Sequence, residues 1–123
     1  MPAEPVRVFH CDDSRAFTEL VRFWLADHPD LEYVGAAHDA AAAVAGAAEH
    51  LPDVVVLDTM GAPDDASLLE SLREAAPAAR VIVYSGFSRA TLAPTFAGRA
   101  DAILTKADDE RELVSAIRAV TSR

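Results

Sequence analysis

Five short apolar runs, separated by stretches of helical period, organise this chain. Val6-Arg7-Val8-Phe9-His10-Cys11, Leu31-Glu32-Tyr33-Val34-Gly35, Val54-Val55-Val56-Leu57, Val81-Ile82-Val83-Tyr84 and Ala102-Ile103-Leu104-Thr105 have the length of strands. Near-continuous apolar runs rich in β-branched residues belong to strands covered on both faces, as in a parallel sheet. The second run alternates apolar with polar positions and suits an edge. Between the runs lie helical segments, each opened by a capping residue type. Ser14 precedes Phe17, Leu20, Val21 and Trp24, and Asp39 precedes an alanine-rich stretch to Leu51. Ser67 precedes Leu68, Leu69 and Leu72, and Asp109 precedes Leu113, Ile117 and Val120. The alanine run from Ala40 to Ala48 predicts a close-packed or thinly covered helix. Pro94 falls inside Ser88 to Gly98 and removes a backbone donor, so the helix there is expected to be short, kinked or displaced. Strand and helix alternate five times, which predicts a doubly wound α/β domain.

Composition narrows the function. At 123 residues and 51% hydrophobic, the chain buries one core, and a single domain over 1–123 is expected. A net charge of −9 without a basic cluster argues against direct nucleic-acid binding, which rests on neutralising phosphates. No apolar stretch approaches the roughly 20 residues that span a bilayer. Cys11 is the lone cysteine, so no disulfide framework exists and a cytoplasmic location is expected. A protein partner fits this surface better than nucleic acid or membrane.

The strand ends carry the chemistry. The first run leads into Asp12-Asp13, the third into Asp58, the fourth into Ser85-Gly86, and the fifth into Lys106, the one lysine of the chain. Ligands of open α/β sheets bind at the carboxyl edge, where a parallel arrangement brings three carboxylates, a hydroxyl and an ammonium together. Lysine is a compact point charge that can approach a phosphoryl or carboxylate oxygen closely. By the same residue logic His10 reads as a satisfied core histidine, Phe23-Trp24 as core with one ring partly exposed, and Asp64-Asp65 as loop residues capping the third helix.

Asp12-Asp13, Asp58, Ser85 and Lys106, each at its own strand end, resemble the receiver domain of bacterial two-component response regulators. The resemblance covers the whole chain. The segments His28 to Gly35 and Leu51 to Asp58 are similar to receivers that usually carry a helix-turn-helix output domain. It implies a flavodoxin-like (βα)5 domain with a five-stranded parallel sheet in the order 2-1-3-4-5. It further implies Asp58 as phosphoacceptor for a sensor histidine kinase, a phosphotransfer protein or a small acyl phosphate. Asp13, Asp58 and the carbonyl of Met60 would ligate Mg²⁺ directly, with Asp12 acting through water or orienting the site. Ser85 and Lys106 would contact the phosphoryl oxygens. The implied output is altered binding to a protein partner or to itself, with possible autodephosphorylation and no separate substrate.

Three departures from the family pattern touch the switch. Ala62 stands where receivers usually have proline, and Pro63 follows one position later, which predicts a longer, more mobile Thr59 to Ala66 loop. Ile103 occupies the place of a switching aromatic, and Ala107 replaces the frequent proline after the lysine, so a trans peptide is expected there. The alternative function is therefore a receiver-like interaction module that works without phosphorylation. If phosphorylation drives the switch, activation is expected to displace the Gly86 to Gly98 segment without an aromatic ring rotation in the fifth strand, and uniform behaviour of that segment would favour the alternative.

Overall fold

The structure, a computed structural model, describes residues 4–122. In chain order the elements are β1 (Val6–Cys11), α1 (Arg15–Ala26), β2 (Leu31–Ala37), α2 (Ala40–His50), β3 (Val54–Leu57), α3 (Ser67–Ala75), β4 (Arg80–Ser85), α4 (Arg89–Phe96), β5 (Ala102–Thr105) and α5 (Glu110–Thr121). The strands form one parallel sheet in the order β2-β1-β3-β4-β5. This is the predicted doubly wound, flavodoxin-like arrangement.

Alternation along the buried strands divides the core into two layers. Phe9, Cys11, Val55, Leu57, Val81 and Val83 face the side covered by α2, α3 and α4, with Ala43, Ala47, Leu69, Leu72, Leu92 and Phe96 packed on them. Val8, Val54, Val56, Ile82 and Tyr84 face the other side, where Val21 and Leu25 of α1 meet Leu113, Val114 and Ile117 of α5. The alanine-rich α2 is close-packed, as its composition predicts. A Cβ built on Gly46 would lie 2.3 Å from Phe9 Cζ, so glycine lets the helix approach the sheet at this point.

Local signals explain most boundaries. Ser14, Asp39, Ser88 and Asp109 accept hydrogen bonds from the amides of Phe17, Ala42, Thr91 and Glu112 respectively, each satisfying an otherwise orphaned donor of the first helical turn. The reading of Ser67 as a cap is corrected. Ser67 is the first residue of α3, Ala66 holds the cap position without a side-chain bond, and the carboxylate of Asp65 accepts from Ser67 N at 2.8 Å instead. Asp65 was expected in this capping role, and its short side chain turns back on the amide two residues ahead. Strand β2 runs past Gly35 to Ala37, because Ala36 and Ala37 pair with His10 and Cys11 beyond a register shift at Val8/Phe9. With eight residues, α4 is the shortest described helix, and Pro94 lies within it, yet Leu92 and Phe96 are fully buried and anchor it.

The register places the site. Cys11 is level with Leu57, and Leu57 with Val83, while Ser85 is level with Thr105. The residues that follow, Asp12, Asp58 and Lys106, therefore emerge at one carboxyl edge. Asp58 N donates to Cys11 O at 2.8 Å and Lys106 N to Ser85 O at 2.7 Å, continuing the ladder up to the functional residues.

Candidate functional site: an acidic pocket with one ammonium

Asp12, Asp13 and Asp58 each offer a carboxylate oxygen, and these oxygens lie within 4.8 Å of one another. Asp12 is fully buried, Asp58 is buried and Asp13 is exposed, so the cluster opens to solvent on the Asp13 side. Asp12 Oδ1 accepts from Ser14 N at 2.8 Å, which ties the pocket to the start of α1. Asp12 Oδ2 stands 2.8 Å from Lys106 Nζ in an ion pair. Asp58 Oδ2 accepts from Met60 N at 2.9 Å, and Asp58 Oδ1 lies 3.5 Å from Lys106 Nζ.

The loop after β3 turns sharply to allow this. Met60 has φ 52° and Gly61 φ 83°, so a non-glycine residue occupies the left-handed region next to the Asp58 carboxylate. The Met60 amide points back to Asp58, and backbone strain of this kind belongs to functional turns. Ala62 N donates to Thr59 O at 3.0 Å and Asp65 N to Ala62 O at 3.3 Å. The displaced proline is thus taken up by two successive turns.

Electrostatics concentrates on two groups. Burial pushes the Asp58 carboxyl above its usual range, and the neighbouring charges of Asp12 and Asp13 add to this, while Lys106 and the Met60 amide oppose it. Burial alone would lower the Lys106 ammonium, but the carboxylates of Asp12 and Asp58 outweigh it and raise its proton affinity. The ammonium also lies 4.3 Å from the ring centroid of Phe17, within cation–π range. Phe17 was read only as an apolar position of the helical period after Ser14; its contact with Lys106 had no signature in sequence spacing.

The hydroxyl at the end of β4 is fixed from two sides. Ser85 Oγ lies 3.0 Å from Thr59 Oγ1 and accepts from Phe87 N at 3.2 Å. Thr59 was not singled out in the sequence, although a hydroxyl directly after Asp58 is the available signal. Tyr84 donates to Asp108 O at 2.6 Å, and Thr105 N to Asp108 Oδ2 at 2.8 Å, which braces the turn carrying Lys106. Ile103 is half-buried against the core beside α4.

Two expectations are corrected. His10 is fully buried on the α1 side, between Phe17 and Tyr33, but it is not a satisfied core histidine. Its Nδ1 is 3.5 Å from the Tyr33 hydroxyl, and its Nε2 has no hydrogen-bond partner. Burial, followed by the Lys106 charge, pushes its pKa down to about 3, so the ring is neutral at ordinary pH. Phe23 is not core: it is 71% exposed, because its neighbour Trp24 takes the inward direction on α1.

The donor set is entirely carboxylate oxygen, which suits a hard divalent cation better than a soft one. No described helix is long and apolar enough to cross a membrane.

Comparison with known proteins agrees with this geometry. A profile of the response regulator receiver domain matches residues 8–118. The signal receiver domain of NarL from Mycobacterium tuberculosis superposes with a TM-score of 0.85 at 31% identity, covering 98% of this chain and 100% of that one. A two-component response regulator of the LuxR family from Aurantimonas sp. SI85-9A1 gives a TM-score of 0.85 at 28% identity over 97% of this chain and 86% of that chain. Protein-glutamate methylesterase/protein-glutamine glutaminase 1 of Pseudomonas savastanoi pv. phaseolicola is 31% identical over 134 residues, covering 99% of this chain. The chain spans 16% to 37% of the length of the methylesterases it matches. With the pocket residues at their strand ends and the match running from β1 to α5, this chain belongs to the family of response regulator receiver domains.

Proposed function

We propose that this domain is a phosphoacceptor switch of a two-component system, with Asp58 as the nucleophile. The observation that carries the reading is the gathering of Asp12, Asp13 and Asp58 around a single ammonium at the carboxyl edge of the sheet. A carboxylate oxygen of Asp58 attacks phosphorus, the P–O bond forms, and the P–N bond of a phosphohistidine breaks with its electron pair returning to the imidazole. A sensor histidine kinase or a phosphotransfer protein is the donor, and a small acyl phosphate can replace it.

Asp13 and Asp58, with the carbonyl of Met60, would hold Mg²⁺ directly, and Asp12 would act through water or orient the site. When bound, the ion neutralises charge on the phosphoryl oxygens and offsets repulsion among the carboxylates. Met60 N keeps one Asp58 oxygen occupied, which leaves the other as the attacking atom. Ser85 and Lys106 receive the phosphoryl oxygens. About 1.5 to 2 units of negative charge then arrive beside a serine already tied to Thr59 and to the start of the Phe87 segment. The output is a change in protein–protein contacts in the cytoplasm.

Intact-mass analysis after incubation with acetyl phosphate tests this. One phosphoryl adduct is expected, dependent on Mg²⁺ and absent in Asp58→Ala. Absence of any adduct on wild type would assign the domain to constitutive, phosphate-independent binding.

A further inference from the structure

Among the described residues, His10 Nε2 is a buried side-chain polar atom without a hydrogen-bond partner, and the oxygen beside it, Asp12 Oδ2, is met by the Lys106 ammonium. They are neighbours, 4.0 Å apart, and both side chains are fully buried. An unpartnered polar atom in a core destabilises the fold, and an apolar residue would fill this position of β1 without that penalty. The phosphoryl-transfer chemistry proposed above gives His10 no part. Its placement beside the innermost carboxylate is therefore unexplained by either packing or transfer.

The contacts of Asp12 bear on the placement of His10. Asp12 Oδ2 has the Lys106 ammonium at 2.8 Å, and that same ammonium is the group that must turn to a phosphoryl oxygen. Once it turns, Asp12 Oδ2 loses the ammonium that meets it in this arrangement, and any cation the cluster holds is shared among three carboxylates that now face new negative charge. His10 Nε2 is the polar atom at hand, and a closure of about 1 Å brings it to hydrogen-bond distance. The other side of the ring can follow, because the Tyr33 hydroxyl lies between two acceptors, the Thr18 carbonyl at 3.2 Å and His10 Nδ1 at 3.5 Å.

We infer that His10 is a positioning residue of the switch: it carries its one ring proton on Nε2 and donates it to Asp12 Oδ2 when Lys106 moves to the phosphoryl group. This rests on the phosphoacceptor reading of Asp58. Neutral donation suits the task, since it satisfies the carboxylate without competing for the cation that the acidic cluster holds.

The test uses the full chain with Mg²⁺ and beryllofluoride, a stable mimic of the phosphoryl group. Ring-nitrogen NMR should show the His10 proton on Nε2 in the beryllofluoride state, moved downfield from the apo state. A proton on Nδ1 in that state overturns the inference. His10→Leu should weaken beryllofluoride binding by roughly tenfold or more, the range of a hydrogen bond to a charged group, without lowering the melting midpoint. His10→Gln, whose amide nitrogen can take the place of Nε2, should restore most of the affinity. Equal affinity in wild type and His10→Leu overturns the positioning role, and if His10→Leu does not fold, the wild-type ring spectra decide alone. Failure of wild type itself to bind beryllofluoride is a different result: it removes the phosphoacceptor reading, and this inference with it.

Discussion

Replacing Lys106 with methionine separates the two jobs of the ammonium. Methionine keeps most of the unbranched stem and its packing over Phe17, so the change is mainly one of charge. What remains is Asp12, fully buried, and Asp58, nearly so, with no cation at 2.8 Å and 3.5 Å. Breaking a fully buried pair by removing one partner costs about 3–5 kcal/mol. Lys106 is one-quarter exposed, so solvent screens part of this and the expected loss in metal-free buffer is about 2–4 kcal/mol. A divalent cation at the carboxylates stands in for the missing charge. Mg²⁺ should therefore stabilise Lys106→Met more than it stabilises wild type, narrowing the difference between them through binding linkage. Urea denaturation of both proteins, with chelator and with saturating Mg²⁺, measures the four free energies. A stability difference that stays the same in both buffers would refute the argument, because it would show that the ammonium and the metal do not serve the same carboxylates. A loss near zero in chelator would refute the ion-pair assignment itself.

Two further substitutions probe the carboxylate cluster and the core that holds it. The folded Asp58 carboxyl binds its proton more tightly than the unfolded one, so ionising it as pH rises through that raised pKa costs the fold stability. Asp58→Asn should accordingly be more stable than wild type at neutral pH in Mg²⁺-free buffer, with the advantage shrinking as pH falls through the window; urea midpoints across pH check the sign, and an advantage that grows in acid would contradict it. Gly46→Ala places a Cβ 2.3 Å from Phe9 Cζ, an overpacking cost of about 1–3 kcal/mol against a helix-propensity gain of about 1 kcal/mol, and a double-mutant cycle with Phe9→Leu should show coupling that relieves the clash.

The fold was legible because each level of the sequence says the same thing. Apolar runs, interleaved helical periods and three true caps, Ser14, Asp39 and Asp109, all specify alternating strands and helices, and parallel pairing then leaves few topologies. The strand-end residues were legible for a related reason: a chain-adjacent Asp and a buried strand fix both the position and the edge. What escaped was lateral. Phe17 meets Lys106 across more than 80 residues and Thr59 meets Ser85, and neither contact has a period. Ser67 was misread as a cap because serine before a leucine pair fits that pattern, while Asp65, two residues earlier, satisfies the amide first. That one ring of the Phe23-Trp24 pair would be exposed was legible, but helical period allows either to face inward, and only packing against the core between the sheet, α1 and α5 selects Trp24.

These lateral contacts bear on how a pocket with Ile103 in place of an aromatic could switch. Counting Asp12, Asp13 and Asp58 against Lys106, the pocket has three negative groups and one positive group, so the ammonium cannot satisfy every carboxylate at once. In the apo arrangement it favours Asp12, the more buried partner and the shorter contact. A phosphoryl group on Asp58 shifts that balance by adding charge on the far side of the ammonium, and the cost of leaving Asp12 decides how readily the shift occurs. Phe17 holds the ammonium in place, and His10 lowers the cost of its departure. Ser85 and Thr59 are linked before any phosphate arrives, so movement at the acceptor loop reaches β4 and the start of α4 directly. On the phosphoacceptor reading proposed above, signal transfer by this route would run through backbone displacement after Ser85, and a half-buried Ile103 would only have to keep packing while it happens.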